Sequence, residues 1–307
     1  MTQITAGMVK ELRTITGAGM MDCKKALSEN SGNIDESVDW LRKKGLASAA
    51  KKAGRVAAEG LVSVYVDGKK ASIVEVNAET DFIAKNEEFQ RLVVSCAKNS
   101  INAKSVEEIS SSKYEESKTI SEELTRLIAV IGENMNIRRF ENVSVEDGVI
   151  SSYIHTQAAK NLGRIGVLVA LESSADKEKL EELAKKICMH VAASNPQALN
   201  RESVDPSIIE RERNILIDQA KDSGRPADIT EKMVDGRIQK YYKEIVLLEQ
   251  PFVMDGKTPI KSIIEDAEKD LGAPITLKSF VRYGLGDGIE KKENDFAAEV
   301  QAQVSGK

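Results

Sequence analysis

Apolar residues return at helical intervals from the start of the chain: Ile4, Met8, Leu12 and Ile15 share one stripe, which stops at the glycines of "TGAG". The next stretch, "MMDCKKALSENSG", predicts a second helix ending at Gly32. "NIDESVDWLRKKG" predicts a third, with Asn33 as its cap and Gly45 as its stop. Behind it, "LASAAKKAGRVAAEG" reads as a helical linker rich in alanine and basic residues. Three short helices cannot enclose a catalytic pocket; a unit of this size suits docking.

From Gly60 the period changes to two-residue alternation. "LVSVYVDGKKASIVEV" holds two β-rich runs around Asp67-Gly68, a hairpin signal, and Phe89, Leu92, Val93, Cys96 and Ala97 then form one face of a helix. "GVISSYIHTQAAKNLGRIGVLVALESS" repeats the plan with a longer turn, followed by a helix carrying Leu180, Leu183, Ile187 and Val191. The segment from Gly60 to Val66 aligns residue by residue with that from Gly148 to Ile154 at a constant offset, which implies an internal duplication: two strand-strand-helix units forming a paired core. "NIRRFENVSV" and "ITLKSFVRYGLG" offer further strands. Between Pro206 and Pro251, apolar residues at helical spacing flank Ser223-Gly224-Arg225-Pro226 and predict an antiparallel helical hairpin; "NDFAAEVQAQV" predicts a last amphipathic helix.

The expected class is therefore α+β. It has a three-helix module with linker (1–55), a first core unit (56–147), a second (148–205), an inserted helical hairpin (206–250), a return to the core (251–285) and a C-terminal helical module (286–307).

Composition narrows the partners. The 307 residues are 41% hydrophobic and 30% charged with net charge −5, so a nucleic-acid backbone is not the expected partner. Arg42, Lys43, Lys44, Lys51, Lys52 and Arg55 form a local basic cluster, read first as a solvated face. The N-terminus lacks the charged and apolar regions of a signal peptide and no stretch approaches a membrane span, so a cytoplasmic protein away from membranes is expected. Cys23, Cys96 and Cys188 are odd in number and far apart, which fits reduced thiols.

Catalytic signatures are missing. There is no Gly-x-x-x-x-Gly-Lys-Ser/Thr phosphate loop, and "GLGDGIEK" lacks the helix-opening pattern of a dinucleotide fingerprint. The two histidines, His155 and His190, belong to no metal-ligand array, and no nucleophile elbow is present. His190 sits among core positions of a helix and reads as structural; His155, where a strand meets a loop, is open to a partner contact. No cofactor and no enzyme activity are expected. "SIVEVNAETDFIAKNEEF" poses a different question: a strand gives way to Asn77, Glu79 and Asp81, and Phe82 follows. Taken alone, Phe82 reads as an aromatic at a helix start, packed on its own core.

The stretches "VKELRTITGAGMMDCKKAL", "VNAETDFIAKNEEF", "IGENMNIRRF", "HTQAAKNLGRIGVLV", "QPFVMDGKTPIKSII" and "GIEKKENDFAAEV" together resemble the bacterial translation elongation factor Ts family, in order from Ile4 to Val300. That resemblance reverses the expectation for Phe82. It implies a guanine nucleotide exchange factor that binds elongation factor Tu in its GDP form, expels GDP and is displaced as GTP enters. It implies a module like ubiquitin-associated domains, a two-part α+β core, an inserted coiled coil and a C-terminal helix. The "TDF" stretch, here Thr80, Asp81, Phe82 and Ile83, would touch the partner's nucleotide domain and contribute to loss of its magnesium ion. Leu12, Met20 and Met21 would hold a partner helix in an apolar pocket, His155 would begin a second contact, and Phe296 would lie in a partner-binding tail. The competing reading is an adaptor like ubiquitin-associated domains, without exchange activity. A homodimer through core and hairpin stays open.

Overall fold

Local capping sets the first three helices. Thr5 Oγ1 accepts a 3.3 Å hydrogen bond from Met8 N–H and starts α1 (Ala6–Thr16), which ends at Gly17 in the left-handed region. α2 (Met20–Glu29) and α3 (Ile34–Lys52) follow, the latter capped by Asn33. Val9, Leu12, Cys23, Ala26 and Leu27 bury a small core between them. The expected stop at Gly45 does not occur; α3 runs on through the linker to Lys52. Gly45 lies against Ala129 and Thr125 of a later helix, and this packing outweighs the ~1 kcal/mol that glycine costs inside a helix.

The computed structural model describes residues 3–115, 118–221 and 227–290. Within these, β1 (Glu59–Asp67) and β2 (Lys70–Ala78) form the expected hairpin, with Asp67 opposite Lys70. A 3-10 turn at Asp81–Lys85 leads into α4 (Glu87–Ser100), followed by α5 (Val106–Ser111), the short pair β3 (Lys113–Glu115) and β4 (Lys118–Thr119), and α6 (Ile120–Ile131). Then come β5 (Met135–Ser144), β6 (Gly148–Ala159), β7 (Leu162–Glu172) and α7 (Lys177–Ser194). α8 (Pro206–Lys221) and α9 (Ala227–Ile245) precede α10 (Ile260–Leu271) and β8 (Thr276–Gly284). The fold is thus mixed α/β with antiparallel strands.

The large sheet has the order β5-β2-β1-β7-β6, with β8 also on β7. β1 meets β7 only at Val62 and Ser63, opposite Gly163 and Leu162, whereas β8 pairs with β7 from Ile165 to Glu172. Across this narrow joint the two halves turn their inner faces to each other: Val62, Val64 and Ile73 pack with Ile150, Leu168, Ala170 and Val281. The outer face of the first half packs on α4 and α6, and that of the second on α7 and α10. Strand alternation makes this possible, since Leu61 faces the helices while Val62 faces the other half.

The two halves open alike. Gly60 (φ 121°) and Gly148 (φ 145°) each begin a first strand, and a Cβ on either would collide with the carbonyl of the paired strand and stand 2.9 Å from a neighbouring Cα, that of Asn77 or Glu172. The expected longer turn after His155 is instead continuous strand. Thr156 (φ 51°) and an irregularity between Gln157 and Ala159 absorb the extra length, and the chain reverses tightly at Lys160 and Asn161 (φ 62°). α8 and α9 lie antiparallel, joined by Leu216, Val234 and Ile238 and by an Arg213–Asp235 pair at 2.5 Å. The expected C-terminal helix with Phe296 lies outside the described residues.

Candidate functional site

The exit of β2 is fastened at both ends. Glu79 Oε1 accepts from Asn134 N–H at 2.5 Å, and Thr80 gives two hydrogen bonds to the Glu133 carboxylate, from its N–H at 3.0 Å and its hydroxyl at 2.6 Å. At the far end Asn86 Oδ1 accepts from Phe89 N–H at 3.0 Å and caps α4, while Gln90 Nε2 donates to Ala84 O at 2.7 Å. Ile83 plugs the turn into the core below. Phe82 points the other way and is 78% exposed. Burying such a ring would contribute roughly 1.5–3 kcal/mol, and the fold leaves that unused on a backbone that is already ordered. Any surface that covers Phe82 gains this burial with little further loss of entropy. Asp81 beside it is exposed, and no described residue hydrogen-bonds or pairs with its carboxylate.

The four consecutive residues therefore divide their work: Thr80 anchors, Ile83 is buried, and Asp81 and Phe82 face outward. Met20 and Met21, 60% and 74% exposed, stand on the first turn of α2 as a second apolar point. Leu12 does not join them at the surface; it is fully buried beneath α2 with Cys23, Ala26 and Leu27. The core under Met20 and Met21 shares no residue with the core under Ile83. His155 is exposed near the end of β6, its Nδ1 3.2 Å from the hydroxyl of Tyr153. It belongs to the second half of the sheet, apart from Phe82.

Titratable groups inside the protein are committed to structure. Glu75 is fully buried; desolvation raises its pKa, but Gly286 N–H (2.8 Å), the Asn77 amide (3.0 Å) and Arg139 (2.6 Å) outweigh this and hold it below the ordinary range. Arg138 adds a further ion pair at 3.0 Å. His190 is buried, its Nδ1 accepting from Val253 N–H at 3.2 Å, which leaves Nε2 to donate to Gln250 Oε1 at 2.9 Å. Burial lowers its pKa, countered in part by Gln250. The thiols of Cys96 and Cys188 are pushed up to about 12 by burial, and that of Cys23 is raised by the same cause. Among the described residues no cluster of His, Cys, Asp or Glu is placed to hold a metal ion, and no helix is long and apolar enough to cross a membrane.

Glu133 and Asn134 lie in the family-like stretch "IGENMNIRRF", but no local pattern marks their role, because they meet Glu79 and Thr80 only through the pairing of β2 with β5. Helix α6, which precedes them, did carry one: Thr119 and Glu122 form a capping box.

The fold is of the mixed α/β class, and Phe82, Met20 and Met21 present apolar side chains outward from ordered supports. A family model described as Elongation factor TS matches residues 79–287. Elongation factor Ts of Rhodospirillum centenum is 56% identical over 306 residues, covering 99% of this chain and 100% of that protein. That of Parvibaculum lavamentivorans is 53% identical over 308 residues, covering all of both, and that of Rickettsia bellii 52% over 304, covering 99% and 98%. The chain belongs to the elongation factor Ts family, and so to the elongation factors of protein biosynthesis.

Proposed function

We propose that the protein is a guanine nucleotide exchange factor acting in the cytoplasm on elongation factor Tu in its GDP form. The observation that carries this reading is Phe82, exposed on a turn pinned by Glu133, Asn134 and the Asn86 cap. A G protein holds GDP through a phosphate-cradling loop and an octahedral magnesium ion, so a small displacement of either weakens both. Phe82 wedges between helices of the partner beside that site, and Asp81, without a partner among the described residues, fixes the approach by accepting a hydrogen bond. Covering one ring supplies roughly 1.5–3 kcal/mol, and each ~1.4 kcal/mol is tenfold. One wedge then weakens GDP binding roughly ten- to hundred-fold, and further docking regions add the rest. Linkage makes the effect reciprocal: nucleotide weakens the factor as much as the factor weakens nucleotide, which permits turnover.

In this reading the first three helices, a unit like ubiquitin-associated domains, dock a partner helix at Met20 and Met21, with Leu12 supporting them from below. His155 and Phe296 supply contacts from the second core unit and the C-terminal module. The shared glycine geometry at Gly60 and Gly148 supports a duplicated core, and the pairing of α8 with α9 supports a coiled-coil insertion. The segment boundaries expected from sequence, at 55/56, 147/148, 205/206, 250/251 and 285/286, belong to the same proposal. Neither cofactor nor nucleic acid takes part, and core and hairpin are the surfaces through which two copies would pair. The test is release of a fluorescent GDP from elongation factor Tu on adding the protein. Acceleration supports the reading; binding with an unchanged release rate overturns it in favour of an adaptor.

A further inference from the structure

The α1–α3 module and the turn at Phe82, two parts of the molecule that carry exposed apolar points, both adjoin Arg126 behind their outer faces. Arg126, on α6, is largely buried and bonds Glu123 twice, at 2.9 and 2.7 Å, and Glu88 of α4 at 3.0 Å. Glu88 stands two residues beyond the Asn86 cap that closes the Phe82 turn. The same guanidinium lies against Gly17 at the α1–α2 corner, where a Cβ would collide with Nη1. Glycine is favoured at this corner by its left-handed backbone, and its missing side chain leaves room for the approach of Arg126. The corner leads into α2, the helix of Met20 and Met21.

The other links between module and core run along α3. Arg42 pairs with Glu122 at an exposed 2.5 Å contact, Gly45 rests on Ala129, and just beyond the helix Arg55 pairs with Glu79 at 3.4 Å while its carbonyl accepts from Asn134 Nδ2 at 2.7 Å. These hold one edge of the module. Arg126 instead lies against the α1–α2 corner while it bonds the helix that follows Phe82. A cleft of about 1020 Å³ opens between the module and α5 and α6, with Arg126 in its lining, so the packing that could take over this task is incomplete.

We propose that Arg126 is a positioning residue that fixes the module against the Phe82 turn, so that both dock as one body. The docking part rests on the exchange reading above. Two contacts on a rigid frame bind with a high effective concentration of the second after the first; a loosened frame lowers that concentration without altering either contact. Lysine cannot reproduce the planar fork that reaches Glu88 and Glu123 together.

The test joins two measurements on the full chain. Spin labels at Lys10→Cys in α1 and Lys98→Cys in α4, with the buried native cysteines unlabelled, report the module-to-core distance distribution. GDP release is titrated with each variant. Arg126→Ala and Arg126→Lys broaden the distribution and raise the half-maximal concentration about threefold to tenfold, with the rate at saturation retained. Glu88→Gln, which cuts one exposed arm and spares the Arg126–Glu123 pair, does the same to a smaller extent. A distribution unchanged in both Arg126→Lys and Glu88→Gln overturns the proposal. Broadening with an unchanged half-maximal concentration overturns its docking part. If the wild type does not accelerate release, the exchange reading fails, while the distances still decide whether Arg126 positions the module.

Discussion

The two strand-strand-helix units obey one construction rule and differ in the joint between second strand and helix. Both open on a glycine at positive φ, Gly60 and Gly148, and both lay a capped helix, α4 or α7, over their outer face. Between second strand and helix, the second unit spends only residues 173–176: Ser173 Oγ accepts from Ala175 N–H at 3.1 Å, and Asp176 caps α7 by accepting from Lys179 N–H at 3.1 Å. The first unit spends residues 79–86, ties them to Glu133 and Asn134, and presents Phe82 to solvent. The shared parts build the core, and the unshared joint holds the ring that forgoes burial. The frame serves stability, and the joint is the part proposed to serve the partner.

Exchanging roles between the rings of the first unit breaks this comparison most sharply. Phe89 is fully buried under α4, so Phe89→Ala lowers unfolding free energy by about 3–5 kcal/mol in urea melts, as large-to-small changes in a core do. Ile187→Ala, in the core beneath α7 of the second unit, costs about 2–5 kcal/mol. Phe82→Ala changes stability by less than about 0.5 kcal/mol, since no internal packing is lost; an equal loss at Phe82 and Phe89 would abolish the distinction between frame and joint. A smaller effect comes from the docking side: replacing Met20 and Met21 by Ser raises the half-maximal concentration for exchange while melting stays put.

The smallest effect is a pH dependence, which near neutrality comes from His190 in the second unit. His190 has a folded pKa below its ordinary 6.5, so the unfolded chain takes up the proton first. Its contribution is fully present above pH 6.5 and is lost as pH falls through the lowered folded value. Protonation also removes the acceptor that Val253 N–H uses. Urea midpoints between pH 7.5 and 5.5 fall in the wild type, and that part of the slope disappears in His190→Asn. Glu75 acts in the same direction at lower pH: its stabilisation is present above its ordinary 4.5 and is lost as pH falls through its depressed folded value.

Periodicity read the strands and the helices α4 and α7 directly, because each alternates or repeats against one apolar face. Phe89, Leu92, Val93, Cys96 and Ala97 are all buried as that pattern requires. It failed where tertiary contact overrode a local rule. Gly45 reads as a stop, yet its packing on Ala129 carries α3 onward. The stretch after His155 reads as a loop because its strand continues through a bulge, which no alternation records. The expected elements do not include α6 and α10, although Thr119 and Glu122 spell a capping box for the first of them. At the candidate site, Phe82 was legible only through family resemblance. Its supports Glu133 and Asn134 lie across the β2–β5 pairing, and Arg126 meets Gly17 only through the packing of α6 on the module, so neither set is written as a local pattern.

The central claim is that Phe82, and not the frame beneath it, drives nucleotide release. The direct measurement is stopped-flow release of fluorescent GDP from elongation factor Tu at saturating wild type and Phe82→Ala, with melting followed on the same samples. The account predicts a rate roughly ten- to hundred-fold lower for Phe82→Ala, from the burial of one ring, with melting unchanged. A rate equal to that of the wild type would contradict it.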